Sequence, residues 1–178
     1  TVLDPNIAAD FEAISKFRSG EFYVSSRDLE DKNWLVAYTT DDGPVYYYAY
    51  NRESKTFTFL FSNQPKLEGL QLASMQPIFY EARDGLIVHG YLTMPVGIPS
   101  RDLPTVLLVH GGPWARDTWG YDSEAQWLAN RGYAVLQINF RGSTGYGKAF
   151  LNAANREWAA KMHDDLIDGV NWLVQKGI

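Results

Sequence analysis

The sequence predicts two architectures in series: an antiparallel four-stranded sheet, then an α/β doubly wound sheet. Three observations carry this. Composition shifts near residue 77, with three of the fifteen glycines and one of the six tryptophans (Trp34) before it. The first part holds four short runs rich in Val, Tyr, Phe and Thr at regular spacing. The second alternates short apolar runs with helical periodicity, the grammar of a sheet wrapped by helices.

In order, residues 21–26, 34–39, 45–50 and 56–61 read as strands, separated by turn material such as Asp41-Asp42-Gly43-Pro44. Four strands at this spacing make one sheet of the kind that forms a propeller blade. Tyr46-Tyr47-Tyr48-Ala49-Tyr50 places aromatics on both faces of its strand, so this sheet expects neighbours. The pattern has no second copy, which excludes a repeat array. Residues 62–76 read as a linker, dividing the chain into 1–76 and 77–178.

Residues 77–83 and 86–94 then flank Asp84-Gly85, a two-residue hairpin signal, because Gly accepts positive φ without steric cost. Residues 105–109 are a continuous apolar run, as in a strand covered on both faces. Residues 122–130 read as a helix with Asp122 or Ser123 as N-cap and Gly132 past its end. Residues 133–140 form another strand. A last helix spans about 164–176, where Leu166, Ile167, Val170, Leu173 and Val174 build one apolar stripe. Asp164, Asp165 and Asp168 suit the positive end of its dipole, and Gly177 supplies the stop.

Composition excludes several classes. The 178 residues are 46% apolar and 15% aromatic, which rules out disorder. Sixteen basic against 21 acidic side chains give a net charge of −5, so neither nucleic acid nor an anionic membrane is expected as a partner. Without cysteine there is no disulfide, thiolate catalysis or cysteine-ligated zinc. No stretch approaches the ~20 apolar residues of a membrane span. The N-terminus lacks the basic start and apolar run of a signal peptide, and a cytoplasmic setting is the expectation. Neither a metal nor another cofactor is expected.

Ligands of open α/β sheets bind at the carboxyl ends of strands, where two loops of this chain lie. His110-Gly111-Gly112-Pro113-Trp114 follows the 105–109 strand. Consecutive glycines let backbone N–H groups face a ligand, as an oxyanion hole requires; a plain strand-to-helix turn would use the same residues. The second loop, Arg141–Ala149, has Gly142, four residues, Gly147 and Lys148, the spacing of a phosphate loop. Ala149 stands where Ser or Thr would hold Mg²⁺, which weighs against nucleotide binding. Of the histidines, His89 reads as a strand residue, His163 as a helix cap, and His110 alone lies beside a glycine-rich loop. No G-x-S-x-G occurs, so Ser143 lacks the setting of a nucleophile.

VLLVHGGPWARD (106–117) and GYAVLQINFRGSTGYGKAFLNAANREWAAKMHDDLIDGVNWLVQKGI (132–178) resemble the start of the catalytic domain of the prolyl oligopeptidase family of serine peptidases. The acylaminoacyl-peptidase and dipeptidyl-peptidase-like branch is the most similar. EARDGLIVHGYLTMP (81–95) resembles the segment where such enzymes pass from propeller to hydrolase, and the first part resembles a last blade. The resemblance implies the N-terminal part of an α/β-hydrolase preceded by a propeller blade. It also implies hydrolysis of short peptides or acyl-peptides through an acyl-enzyme. All three triad members are then expected beyond Ile178, leaving no catalytic residue here and an inactive fragment. Gly112 or Gly111 would donate an oxyanion N–H. His110 occupies a position from which a Tyr hydroxyl donates in some branches, and with Trp114 it would complete the substrate wall. Arg141, Gly142 and Tyr146 would lie at the active-site rim. The expected partners are a peptide substrate in the intact parent and, through an exposed sheet edge, a second copy or a swapped strand. The alternatives are a non-catalytic peptide-binding or assembly module and, more remotely, nucleotide binding through Gly142–Lys148.

Overall fold

Four strands, β1 (Glu21–Arg27), β2 (Asn33–Thr39), β3 (Tyr46–Asn51) and β4 (Thr56–Ser62), pair antiparallel in sequence order. The computed structural model describes residue 2 and residues 4–178. Side chains alternate across a strand, so Trp34, Val36 and Tyr38 of β2 share one face, and each is essentially inaccessible to solvent. Trp34 pairs with Tyr50 and Val36 with Tyr48 across β2 and β3, which makes the core aromatics direct neighbours.

A helix that the sequence reading lacks, α1 (Ala8–Phe17), covers this face. Ile14 is fully buried, Phe11 meets Trp34 edge-on at 6.1 Å, and Phe17 stacks on Phe57 at 3.9 Å. The cover that the tyrosine-rich strand demanded thus comes, on this face, from its own N-terminal segment. Buried Asp10 fixes the helix: it accepts hydrogen bonds from Tyr50 Oη (2.8 Å), Arg52 Nη2 (3.0 Å) and Lys55. Burial alone would raise this carboxyl's pKa; the Lys55, Tyr50 and Arg52 donors outweigh it and hold the value below normal.

The second sheet contains β5 (Met75–Glu81), β6 (Ile87–Thr93), β7 (Thr105–Leu108) and β8 (Ala134–Asn139), ordered β5-β6-β8-β7. β5–β6 and β6–β8 are antiparallel and β7–β8 is parallel. The chain divides between Leu70 and Gln71, a few residues before the boundary that composition indicates, because β5 already begins at Met75. Central β8 is buried at every position. The apolar run of β7 is only half-buried: the strand pairs on one side alone and is not covered as its sequence predicted.

The β5–β6 turn also differs from expectation. A two-residue type I′ turn needs positive φ at both Asp84 and Gly85, and only Gly85 (φ 85°) has it. Gly85 N–H bonds Ala82 O and Ala82 N–H bonds Leu86 O, giving a three-residue loop with glycine in the left-handed position.

Three helices complete this unit: α2 (Ser123–Ala129), short α3 (Lys148–Asn152) and α4 (Lys161–Gln175). Asp122 caps α2 by accepting from Ala125 N–H at 2.8 Å. α4 starts before the predicted 164, and Met162, Asp165, Gly169 and Leu173 form its buried stripe. Ile167 and Val174, predicted inside, are exposed, since the helix turns Asp165 inward to meet Arg141. α4 packs on Tyr80, Val88 and Ile138, while the α2 cap meets Gln137 on the other face of β8. Among the described residues no helix is long and apolar enough to cross a membrane.

Candidate functional site

Because β7 and β8 run parallel, the loops that follow them emerge at one end of the sheet. A polar lattice joins these loops. Thr144 N–H donates to Ala115 O (2.9 Å) and Asp117 N–H to Asn139 Oδ1 (2.7 Å). Asn139 Nδ2 donates to Asp117 O (3.0 Å) and Tyr146 Oη (2.8 Å), and Arg116 Nη2 reaches the same hydroxyl at 3.2 Å. Burial lifts the Asp117 carboxyl above its ordinary range.

Within this frame His110 stacks on Phe140, with centroids 4.6 Å apart and planes 10° from parallel. Its Nδ1 lies 2.8 Å from Gly111 O and its Nε2 2.9 Å from Ser143 Oγ. Gly112 has φ 134°, and a Cβ there would come within 2.7 Å of Trp114 N, so this position requires glycine. Among the described residues no acceptor takes the N–H of Gly111 or Gly112, and both residues are exposed. The turn borders a 290 Å³ cavity that Phe140, Trp158, Met162 and Leu166 make apolar. Two free donors beside an apolar recess can receive an oxygen that gains negative charge.

The structure therefore brings His110, Gly111 and Gly112 to one cavity, and leaves Trp114 largely exposed and outside its lining. Arg141 does not face this cavity. It is buried, with Nη1 and Nη2 on Asp84 (2.8 and 2.9 Å) and Nε and Nη2 on Asp165 (2.9 and 2.7 Å). Gly142 (φ 96°) allows the turn to pass Ala154, where a Cβ would approach to 2.7 Å. Half-buried Tyr146 stacks on His89 at 5.0 Å.

The first three glycine-loop amides of the phosphate-loop spacing are already committed within the chain. The N–H of Gly142 goes to Phe150 O, that of Ser143 to Phe140 O and that of Thr144 to Ala115 O. His163 is not a cap. It sits in the first turn of α4, whose N-cap Ala160 makes no side-chain bond, and it lines the cavity opposite His110. Among the described residues no group of three or more His, Asp or Glu could hold a metal ion. Sequence reasoning set Ser143 aside for want of a nucleophile motif. Its contact with His110 spans 33 positions, and no local pattern announces it.

Comparison with known proteins agrees with this architecture. Residues 119–178 match the prolyl oligopeptidase family. The chain is 51% identical to dipeptidyl aminopeptidase BIII of Pseudoxanthomonas mexicana over 99% of its own length and 27% of that protein. It is 38% identical to dipeptidyl peptidase family member 6 of Caenorhabditis elegans, over 90% of this chain and 24% of that one. Among solved structures, the acylaminoacyl peptidase of Pyrococcus horikoshii superposes with a TM-score of 0.70 at 20% identity, over 89% of this chain and 25% of that one. That likeness shows the shared fold. The chain spans about a quarter of the length of these relatives. The quoted motifs, the two sheets and the family match agree: the chain belongs to the prolyl oligopeptidase family of serine peptidases.

Proposed function

We propose that this chain supplies the oxyanion-side wall of a peptidase that releases dipeptides from short peptides through an acyl-enzyme. The Gly111–Gly112 turn, with its uncommitted N–H groups beside an apolar cavity, carries the reading. Developing negative charge on a carbonyl oxygen is stabilised by donors held in place beforehand, and such a donor is worth about 10²–10³-fold in kcat. The names of the similar proteins support dipeptides as the released unit. The 178 residues contain no G-x-S-x-G, so this stretch by itself is proposed to be inactive and to act with a serine borne elsewhere in a longer protein. The half-buried edge strand β7 offers its unpaired side to a further strand or a second copy.

Two measurements test this. A fluorophosphonate probe should leave the 178-residue chain unlabelled; labelling of one of its serines would overturn the assignment of the nucleophile elsewhere. A longer protein containing this stretch should cleave dipeptidyl anilides faster than acyl-amino-acid anilides. The opposite preference would remove the dipeptide assignment, and no cleavage of either would remove the peptidase reading.

A further inference from the structure

We propose that the open edge of β5 joins a second copy of this chain, antiparallel across a two-fold axis at Phe79. This edge lies on the far side of the sheet from β7, and the inference does not rest on the peptidase reading. Among the described residues β5 pairs with β6 alone. Backbone groups of an antiparallel strand face a given neighbour at every second residue. Ala82 N–H bonds Leu86 O, so Tyr80 and Ile78 also turn their N–H and C=O groups to β6, and Pro77, Phe79 and Glu81 turn theirs outward. Pro77 fits this phase, since proline is tolerated where its missing N–H would face away from the ladder. Among the described residues no acceptor takes the N–H of Phe79 or Glu81. Soluble proteins protect such an edge with charge, proline or a covering segment. Here Trp119 Nε1 donates to Met75 O (2.9 Å) at one end, and Pro77 blunts the next outward position. Beyond them Phe79 is 65% exposed, and Ile87 on the adjacent strand is 45% exposed.

Charge and hydrogen bonding both select a second copy as the occupant. Ile78, Tyr80, Trp172 and Lys176 border a 530 Å³ groove between β5 and α4. α4 runs antiparallel to β5: Asp168 bonds Arg83, Trp172 meets Tyr80 with ring centroids 6.2 Å apart, and Lys176 lies a turn further, toward Pro77. Glu81 and Lys176 thus mark opposite ends of the groove, and both are exposed. A two-fold axis at Phe79 sets Glu81 of each copy opposite Pro77 of the other, level with its Lys176. Opposite charges then meet twice, whereas a register centred on Glu81 would face two carboxylates. In the Phe79 register, Phe79 N–H of each copy donates to Phe79 O of the other, and Glu81 N–H donates to Pro77 O. Every outward N–H between 77 and 81 is used, and proline stands where only an acceptor is needed. The axis is perpendicular to the sheet, so each face is retained. Ile78 of one copy comes beside Tyr80 and Trp172 of the other, and the two Phe79 rings become cross-strand neighbours.

Sedimentation equilibrium of the 178-residue chain over a concentration series should show monomer and dimer in exchange. Amide hydrogen exchange at Phe79 and Glu81 should slow as the dimer fills. Glu81→Lys and Lys176→Glu should each weaken self-association about tenfold, since each turns two attractive contacts into two repulsive ones. The double variant Glu81→Lys/Lys176→Glu should recover the original affinity. Both side chains are exposed, so circular dichroism should report an unaltered fold in all three variants. A chain that stays monomeric, a dimer indifferent to either reversal, or a double variant no better than the single ones would overturn the proposal. So would a dimer whose protected amides lie in β7 instead of β5. Protection of Phe79 and Glu81 that does not change with concentration would overturn it as well, because the edge would then be covered from within one chain.

Discussion

Arg141 and Asp165 meet in the interior through three hydrogen bonds, from the Arg141 backbone N–H and Nε to Oδ2 (both 2.9 Å) and from Nη2 to Oδ1 (2.7 Å). Asp84 takes the free edge of the same guanidinium. One cation thereby joins the β5–β6 turn, the end of β8 and the first turns of α4. Removing one partner of a buried pair leaves an uncompensated charge, at a cost of about 3–5 kcal/mol. Arg141→Ala should destabilise the second unit by that order in urea denaturation. A change below about 1 kcal/mol would mean that the network does not hold α4.

Acid should weaken the same unit. The Arg141 guanidinium hydrogen-bonded to Asp84 holds that carboxyl well below its ordinary value, and Arg83 does the same for Asp168. A depressed folded value means that the unfolded chain binds more protons, so this stability is fully present above about pH 4. It declines as pH falls from there through the lower folded values. Thermal midpoints measured from pH 6 down to pH 2 should fall, and Asp84→Asn should flatten the lower part of the curve while lowering its plateau.

Gly90 of β6 faces Ile138 of β8, and a Cβ at Gly90 would lie 2.2 Å from the Gln137 carbonyl oxygen. Backbone cannot rotate away as a side chain can, so Gly90→Ala must push the two central strands apart. A loss of about 3 kcal/mol is expected, the upper part of the overpacking range. A variant as stable as the unaltered protein would show that the strands are looser than their register indicates.

In the first unit, Asp10→Ala removes the acceptor shared by Tyr50, Arg52 and Lys55. α1 should loosen from the sheet and expose Trp34 and Tyr38. The readouts are increased binding of a hydrophobic dye and a loss of at least about 2 kcal/mol. Unchanged dye binding would show that Ile14 and Phe17 hold the helix without Asp10.

Gly112→Ala combines a strained φ with a 2.7 Å contact on Trp114 N. In the longer peptidase kcat should fall about 10²-fold, with little change in melting temperature because the turn is exposed. Full kcat in this variant would exclude Gly112 as the donor.

The β-meander was legible because its strands alternate around tyrosines and its turns are rich in Asp, Asn, Gly and Pro. β8 and the α2 cap were legible for similar local reasons. Other features required partners distant in sequence. α1 shows Phe11, Ile14 and Phe17 on one side, but the residue that docks it is an aspartate, which patterning alone assigns to solvent. α4 was misread by about one turn in its start and by two residues in its stripe, because Arg141 draws Asp165 into the interior. At the site, the paired glycines were visible and the histidine beside them was noticed. The serine in contact with this histidine was not, since hydroxyl–imidazole contacts carry no periodicity.

The strand order β5-β6-β8-β7 sets a timetable for synthesis. As the chain leaves the ribosome, each strand of the meander finds its mate immediately before or after it. β6 instead waits until β7, the following loop and α2 have all been made before β8 arrives on its open side. During that interval β6 displays a row of unsatisfied peptide groups, and a ligation or chaperone contact at that stage would meet a finished first unit beside an unfinished second one. Refolding should accordingly be biphasic, with the slower phase reported by tryptophans after residue 110.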